Sequence, residues 1–253
     1  MNVLVTGAAS GLGRALTEEL LRKGHKVVAV DRETQSLERL PSAYRKSCKI
    51  RFADLSNPNS LQRLLQAIGK ERFDLVILNA GISATGKFED IPAEAYDRLI
   101  AVNLRAPLIL ASSMVRNGVM NSGAKFVFIS SLSNAVGYPG ASVYAATKDA
   151  LAVYARCVSK SFDAEKLGVL TVFPGPIRTD HAERHAPPGA DAAQRLEPEK
   201  LARMVLKAAR GRRQTYYPGR NAWIAAKLGR IMPKRMTRLM RKLIFEKLND
   251  PVY

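Results

Sequence analysis

Short apolar segments alternate with longer amphipathic ones along most of this chain, and this alternation is what most restricts its fold. Several short segments are almost entirely apolar, for example Leu75-Val76-Ile77-Leu78 and Phe126-Val127-Phe128-Ile129. Strands buried on both faces have this composition, and they occur in parallel sheets that helices cover on both sides. The predicted strands are Val3–Thr6, Lys26–Val30, Ile50–Ala53, Asp74–Leu78, Lys125–Ile129, Val169–Phe173 and Thr215–Tyr217.

Segments with helical periodicity lie between these strands. The predicted helices are Gly13–Lys23, Asn57–Gly69, Ala93–Asn117, Ser142–Lys160 and Pro198–Arg210, with Asn59 or Ser60 as the cap of the second. Alternating strands and helices imply right-handed crossovers and helices on both faces of one sheet. We therefore expect an α/β fold, a Rossmann-type doubly wound parallel sheet of about seven strands, in one domain covering residues 1–218.

A glycine-rich turn follows the first predicted strand. Gly7, Gly11 and Gly13 allow a tight turn and a close approach of the backbone to a ligand. The next helix directs free N–H groups and its positive dipole end toward that ligand, which suits a pyrophosphate. A plain tight turn is the alternative, because the spacing differs from the common G-x-G-x-x-G form. The loop residues expected to contact a dinucleotide are Gly7, Ser10, Gly11, Leu12 and Gly13.

The end of the second strand bears on the choice of cofactor. Asp31 follows that strand, and a carboxylate there can accept hydrogen bonds from the adenosine ribose hydroxyls while repelling a 2′-phosphate. This favours NAD. Arg32 favours NADP instead, because a guanidinium beside the ribose can pair with the 2′-phosphate of NADP. Ser10 adds no positive charge, so NAD is the preferred cofactor and NADP stays open.

Ser131, Tyr144 and Lys148 form the predicted catalytic group. Tyr144 and Lys148 are four residues apart on a predicted helix and share a face, and Ser131 lies at the carboxyl end of the preceding strand, where ligands bind in open α/β sheets. Hydride transfer at a carbonyl carbon requires a proton at the oxygen. A phenol is a poor base at neutral pH, and a nearby ammonium lowers its pKa. The Ser131 hydroxyl can hold the substrate oxygen.

With these motifs in order, the chain resembles the short-chain dehydrogenase/reductase family over roughly residues 1 to 218. The matching residues are Thr6-Gly7-x-x-x-Gly11-x-Gly13, Asp54-Leu55, Asn79-Ala80-Gly81, Asn103, Ser131, Tyr144-x-x-x-Lys148, and Pro174-Gly175 with Thr179. A departure is Leu78, where the family often has a second asparagine.

The resemblance implies a role for each matching residue. Tyr144 would be the general acid/base, Lys148 would bind the nicotinamide ribose, and Asn103 would anchor a water that links Lys148 to solvent. It also implies a homodimer or homotetramer built on the helices at 93–117 and 142–160. The resemblance also implies further residues of the cofactor site. They are Asp54 and Leu55 at the adenine, Asn79, Ala80 and Gly81 along the cofactor floor, Pro174 and Gly175, and Ile177 and Thr179 at the carboxamide and phosphates.

A polar loop at Thr179–Glu197 falls outside the alternation and is predicted to be a substrate lid with the Pro187-Pro188-Gly189 turn at its centre. His181 and His185 are four apart within it, but no carboxylate motif accompanies them apart from Glu183, so no metal site is expected. The substrate pocket is expected to draw on this loop and on residues 133–143, whose chemistry does not identify a substrate.

The strong positive charge is concentrated toward the C-terminus. The formal net charge is +18, and from Arg195 to Tyr253 sixteen Lys and Arg stand against four Asp and Glu, a net of +12. The extension at residues 219–253 contains a predicted basic amphipathic helix. Its apolar side is formed by Met236, Leu239, Met240, Leu243 and Ile244, and its basic side by Lys234, Arg235, Arg238, Arg241 and Lys242.

Three interpretations of this helix remain: packing on the protein itself or on another subunit, contact with an anionic membrane surface, and, least favoured, nucleic acid, for which no recognised motif is present. Trp223 could anchor the extension to the body or to a membrane. Neither a signal peptide nor a membrane-spanning helix is expected, because the sequence does not open with a basic segment and a hydrophobic stretch and has no run of eighteen apolar residues. Cys48 and Cys157 form no pairing motif, so both are expected to be buried free thiols. Free thiols favour a cytoplasmic location, peripheral to the membrane if the extension binds it.

The sequence therefore predicts an NAD(P)-dependent enzyme that interconverts an alcohol with a ketone or aldehyde, with a lipophilic substrate if the extension meets a membrane. Two alternatives belong to other classes. One is a dinucleotide-binding sensor or scaffold without catalysis, although Ser131, Tyr144 and Lys148 are all present. The other is a protein that acts at a membrane surface through its basic extension.

Overall fold

One parallel sheet organises the chain. The computed structural model describes residues 1–164, 166–187, 189, 191–248 and 251–253. All seven predicted strands form, in the order β3-β2-β1-β4-β5-β6-β7, and every neighbouring pair is parallel. The predicted doubly wound α/β fold is thereby confirmed. The strands are β1 Asn2–Thr6, β2 Lys26–Asp31, β3 Cys48–Phe52, β4 Phe73–Leu78, β5 Met120–Ile129, β6 Gly168–Val172 and β7 Thr215–Tyr216.

Helices cover both faces of the sheet. They are α1 Gly11–Arg22, α2 Gln35–Glu38, α3 Pro58–Ile68, α4 Ala93–Ile100, α5 Ala106–Arg116, α6 Ser133–Val136, α7 Ser142–Ala164, α8 Asp180–Arg184, α9 Pro198–Ala209, α10 Arg220–Ile231 and α11 Pro233–Leu243. Within β1, Val3 and Val5 face a core shared with α1 and α9, whereas Leu4 faces a second core shared with α3, α5 and α7. Alternate residues of one strand thus supply two cores, which explains why the strands are apolar throughout.

The helix predicted as one element over residues 93–117 is interrupted. A π-helical segment, Ala101–Arg105, joins α4 to α5 and contains Asn103. Such insertions are rare and occur often at functional sites. Residues 93–116 are long enough to cross a membrane and contain an 18-residue window with a mean hydropathy of 1.3. The sequence had predicted no membrane-spanning helix, because it has no long apolar run. Leu99, Ala106 and Leu110 of this segment pack into the core.

Two local expectations were wrong. The cap of α3 is Asn57, and not Asn59 or Ser60. Its side-chain oxygen accepts the backbone N–H of Ser60 at 3.0 Å. Pro58 occupies the first helical position, so the cap lies two residues before Asn59 and three before Ser60. The thiols are free but not both buried, because Cys48 lies at the partly covered sheet edge and Cys157 is exposed on α7.

The C-terminal extension packs on the body at one side. The inner face of α10 contacts α6, and Thr237 of α11 lies at Gly137, directly after α6. Farther on, Thr85 and Val252 form an antiparallel bridge with hydrogen bonds of 2.8 Å in both directions. The extension therefore docks on the body through the inner face of α10, Thr237 of α11 and Val252. The opposite side of α10 and α11 is exposed to solvent.

The base of the predicted lid is closed by pairing. Ile177 and Leu196 form a parallel bridge, and Arg178 forms an ion pair with Glu197. The segment is not a continuous loop, because α8 and a 3-10 turn at Ala192–Gln194 lie within it. Positions 188 and 190 of the predicted lid lie outside the described residues.

Candidate active site

The glycine turn after β1 fits a dinucleotide. Gly7 and Gly11 have φ angles of +67° and +50°, a region that side chains disfavour. A Cβ at Gly13 would lie 1.8 Å from the carbonyl oxygen of Gly7, so the helix can approach the turn only with glycine there. Ser10 occupies the N-cap position and its side chain makes no capping hydrogen bond, while the N–H groups of Gly11 and Leu12 are in the first turn. This cradle suits a pyrophosphate.

Asp31 is fixed at the edge of the same turn. Its carboxylate accepts the backbone N–H of Ala9 at 2.9 Å and that of Glu33 at 3.1 Å. Arg32 is exposed and close enough to Asp54 to help lower the pKa of that carboxyl, although the hydrogen bond from the Ser56 hydroxyl is the larger cause. The two candidates for cofactor choice thus differ, since Asp31 is positioned by the backbone and Arg32 extends from the surface.

The predicted cofactor floor is tied to the glycine turn. The Thr6 hydroxyl accepts the backbone N–H groups of Asn79 and Ala80 at 3.0 and 3.1 Å. The Asn79 side chain donates to the carbonyl oxygens of Thr6 and Gly7 at 3.0 and 3.2 Å. These bonds hold the carboxyl ends of β1 and β4 together, which is the edge where ligands bind in this class of fold. Leu55 is buried, and Leu78 is a core residue.

Tyr144 and Lys148 share one face of α7, as their spacing predicts. The Lys148 Nζ atom lies 5.9 Å from the centre of the Tyr144 ring and donates to the carbonyl oxygen of Ile129 at 3.0 Å. Lys148 is 3% exposed, and burial lowers its pKa to about 8. Burial raises the pKa of Tyr144, and its hydrogen bond with Ser131 acts in the opposite direction.

The direction for Tyr144 differs from the sequence expectation of a lowered pKa. The reason is that the loss of solvation around the phenol outweighs the hydrogen bond from Ser131. Ser131 itself lies beyond the end of β5, and its hydroxyl accepts the backbone N–H of Ser133 at 3.2 Å. The structure therefore brings Ser131, Tyr144 and Lys148 together at the carboxyl edge of the sheet.

Asn103 lies behind this group and is fully buried. Its Nδ2 atom donates to the Ile82 carbonyl at 2.9 Å and to the Thr147 hydroxyl at 3.1 Å, while its Oδ1 atom accepts the Ile82 N–H at 2.8 Å. A Cβ at Gly81 would lie 2.9 Å from Lys148 Nζ and 3.4 Å from Asn103 Oδ1. Glycine at this position therefore lets the asparagine and the lysine approach each other.

The segment after β6 reaches both ends of the predicted cofactor site. The Pro174 carbonyl accepts the N–H of Leu132, next to Ser131, at 2.9 Å. Gly175 is close to the Leu132 side chain. A Cβ at Gly11 would lie 3.0 Å from the methyl group of Thr179, and the Thr179 hydroxyl caps α8 by accepting the Ala182 N–H at 3.1 Å. This segment thus connects the catalytic group to the glycine turn.

His181 and His185 lie near the site without forming a metal cluster among the described residues. Their ring centres are 4.7 Å apart. Burial is the main cause that lowers the pKa of His181 to about 4, with smaller contributions from His185, Arg184 and Lys148. The Thr85 hydroxyl is 3.1 Å from His185 Nδ1. Because Thr85 also pairs with Val252, three distant parts of the chain meet beside the catalytic group.

Some residues of the site were not found from the sequence. Ser130 donates from its hydroxyl to the Lys148 carbonyl at 2.8 Å, and Thr147 donates to the Tyr144 carbonyl at 2.8 Å while accepting from Asn103. Both are small hydroxyl residues next to motif residues, so the only sequence signal was their adjacency. The approach of Val252 to Thr85 has no local signal.

Comparison with known proteins identifies the family. The model of the short chain dehydrogenase family matches residues 1–188, and the chain belongs to this family. Trihydroxynaphthalene reductase from Colletotrichum orbiculare is 29% identical over 184 residues, which cover 70% of this chain and 64% of the reductase. The short-chain dehydrogenase/reductase FrzI from a Cladobotryum species is 32% identical over 191 residues, 70% of each protein.

A solved structure supports the same conclusion. The short-chain dehydrogenase from Sphingobium yanoikuyae in complex with NADPH is 26% identical and superimposes with a TM-score of 0.78 over 94% of both chains. These three relatives are described as a reductase, a short-chain dehydrogenase/reductase and a short-chain dehydrogenase in complex with NADPH. The family that the sequence motifs indicated is therefore confirmed.

Proposed function

We propose that the protein interconverts an alcohol and a ketone or aldehyde, with Tyr144 as the general acid/base. The observation that carries this proposal is the grouping of the Tyr144 phenol, the Ser131 hydroxyl bonded to it and the buried Lys148 ammonium. When bound, the nicotinamide cofactor donates hydride in reduction and accepts it in oxidation. Tyr144 donates a proton to the substrate oxygen in the first direction and removes it in the second.

The neighbouring residues prepare this proton transfer. Ser131 donates a hydrogen bond to the substrate oxygen and stabilises the charge that develops there. Lys148 holds its ammonium close to the phenol and favours the phenolate, against the effect of burial. Asn103 is a positioning residue, because its side chain bonds to Ile82 and Thr147 and holds the floor beside Lys148. We also propose that it anchors the water through which Lys148 exchanges protons with solvent.

NAD is the proposed preferred cofactor. Asp31 supports this choice, because its backbone hydrogen bonds hold a carboxylate where the adenosine ribose is expected. Arg32 supports NADP instead, and the relative from Sphingobium yanoikuyae is described as a complex with NADPH. We favour NAD since an exposed arginine loses more conformational entropy on pairing than a carboxylate that is already held in place.

An apolar substrate, a homo-oligomer and a cytoplasmic location complete the proposal. The name of the Colletotrichum relative, trihydroxynaphthalene reductase, supports a substrate with a bulky aromatic ring system. Ile100, Ile109 and Val153 are exposed on the helices where assembly was expected, which supports a homodimer or homotetramer. Two free cysteines are compatible with a reducing compartment.

A substrate screen tests the proposal. Alcohols, ketones and aldehydes of increasing apolar area are incubated with the protein and either NADH and NADPH or their oxidised forms, and absorbance of the reduced cofactor is followed. Turnover that needs both a carbonyl or alcohol and the cofactor supports the proposal. Tight cofactor binding without turnover of any compound would favour the sensor or scaffold alternative.

A further inference from the structure

Helix α10 is turned so that it buries its small residues. Ala222, Ala226 and Gly229 face the body. A Cβ at Gly229 would lie 2.1 Å from the Ala135 carbonyl oxygen, so the backbone of α10 lies directly against α6. There is no room for a large side chain on this face. The contact with the body therefore does not require the large apolar residues of the helix.

Those large residues form a stripe on the opposite side. Ile224, Leu228 and Ile231 follow each other at spacings of four and three residues, and are 41%, 40% and 74% exposed. Trp223 lies beside them and is 53% exposed, with the Lys227 ammonium 5.4 Å from its ring centre. A surface helix usually turns its large apolar residues inward, and α10 does the reverse.

Helix α11 exposes further large apolar residues. Leu239 and Leu243 are 48% and 49% exposed, while Met236 and Met240 are half-buried. Of the fifteen large apolar side chains that are exposed in the described chain, seven lie in this hairpin of α10 and α11. Such a concentration marks an interaction surface. The seven are Trp223, Ile224, Leu228, Ile231, Met232, Leu239 and Leu243.

Positive charge is concentrated in the same two helices. Residues 219–248 contain nine Lys and Arg and one acidic residue, Glu246, which pairs with Arg241 at 3.3 Å. A partner for this hairpin must therefore offer both negative charge and an apolar environment for aliphatic side chains. The basic residues are Arg220, Lys227, Arg230, Lys234, Arg235, Arg238, Arg241, Lys242 and Lys247.

We infer that the α10–α11 hairpin docks on an anionic lipid bilayer. A bilayer surface meets both requirements, since Ile, Leu and Trp side chains enter the boundary of the acyl region while Lys and Arg meet the headgroups. A second copy of this chain would place like charges against each other on this face. Nucleic acid offers phosphates, and it is bound by basic and stacking aromatic residues, whereas this stripe is mostly aliphatic.

Docking in this orientation would put the catalytic group close to the bilayer. Helix α10 rests on α6, and Ser133 at the start of α6 bonds through its N–H to the Ser131 hydroxyl at 3.2 Å. Helices α10 and α6 thus lie between the membrane-facing stripe and the catalytic serine. In this position the enzyme would meet alcohols and ketones that partition into lipid, a consequence that rests on the proposed function.

The test uses the full-length protein and measures binding, so that it does not depend on turnover. Trp223 is the single tryptophan of the chain and lies on the proposed surface, so its emission reports insertion directly. Vesicles of phosphatidylcholine alone are compared with vesicles in which a third of the lipid is phosphatidylglycerol. We expect a blue shift and co-sedimentation with the anionic vesicles only, weakened by added salt.

Two variant sets separate the apolar and charge contributions. The first variant tests the apolar stripe and carries Ile224→Gln, Leu228→Gln and Ile231→Gln. The second tests the charge and carries Lys234→Glu, Arg238→Glu and Lys242→Glu. Each is expected to lower vesicle binding at least about tenfold. Two control variants change exposed residues elsewhere and should bind vesicles as the wild type does. The apolar control carries Phe52→Gln and Phe88→Gln, and the charge control carries Arg63→Glu, Lys70→Glu and Arg116→Glu. Circular dichroism and cofactor binding show that each variant is folded.

Several results would overturn the inference. They are no binding of the wild-type protein to anionic vesicles, equal binding by the hairpin and control variants, and hairpin variants that change only the oligomeric state or only the retention of nucleic acid. None of these results bears on hydride transfer. Conversely, an inactive protein that still binds anionic vesicles would contradict the proposed function and leave the docking inference in place.

Discussion

Lys148 releases its proton at a lower pH than Tyr144, although the two groups lie on one face of the same helix with the lysine Nζ atom 5.9 Å from the tyrosine ring centre. Burial lowers the pKa of Lys148 to about 8 and raises that of Tyr144. The site therefore carries a buried ammonium at neutral pH, close to a protonated phenol. This arrangement affects both the stability of the fold and its chemistry.

The stability of the protein should rise with pH through this lysine. Between pH 8 and 10.5 the folded protein binds fewer protons at Lys148 than the unfolded chain does, so the free energy of unfolding increases as pH rises through that window. We expect the wild type to gain up to roughly 3 kcal/mol relative to Lys148→Met, which cannot titrate. Urea unfolding of both proteins from pH 7.5 to 10 measures this difference, and parallel curves would contradict it.

The glycine turn should not tolerate a side chain at Gly13. The Cβ of Gly13→Ala would meet the Gly7 carbonyl oxygen at 1.8 Å, so the start of α1 must move away from the turn. We expect a loss of about 1–3 kcal/mol in stability and at least about a tenfold rise in the cofactor Kd.

Gly24→Ala is the matched control for this variant. Gly24 has a φ of +75° with no atom within 4 Å of a Cβ, so it tests backbone strain without the collision. It should lose about 1 kcal/mol and bind cofactor normally. Calorimetric titration with the cofactor and thermal unfolding distinguish the two, and equal affinities in both variants would argue against the cradle.

Cofactor preference should depend on the charge of Asp31. Asp31→Asn keeps an oxygen that can accept the Ala9 N–H, observed at 2.9 Å, and removes the negative charge that repels a 2′-phosphate. We expect the ratio of kcat/KM for NADH over NADPH to fall by about tenfold or more, mainly through a better KM for NADPH. Arg32→Gln should move the ratio the opposite way. A wild-type enzyme that strongly prefers NADPH would show that Arg32 dominates.

The sheet could be predicted from sequence because its signal is local. All seven strands were found, with ends that differ by a few residues, since a run such as Leu75–Leu78 is apolar for a reason that any buried parallel strand shares. The catalytic group was found for a similar reason. The spacing of Tyr144 and Lys148 is a helical repeat, and Ser131 lies at the end of a recognisable strand.

Features that depend on distant contacts could not be predicted. The π-helical segment at Asn103 changes hydrogen-bond register without disturbing the apolar periodicity, so residues 93–117 were interpreted as one helix. Helix α10 was not predicted, because its residues 222–226 are all apolar and blur the helical period. The raised pKa of Tyr144 also depends on burial, which spacing alone does not reveal.

The central claim is that the Tyr144 hydroxyl transfers the proton. Tyr144→Phe removes one oxygen and keeps the ring that packs edge-on against Tyr138, with ring centres 6.5 Å apart. The decisive measurement is the turnover number of this variant, with cofactor affinity determined on the same sample. We predict a cofactor Kd within about twofold of the wild type and a turnover number lower by about 10²–10⁴. A variant that binds cofactor and turns over at a rate near that of the wild type would contradict the account.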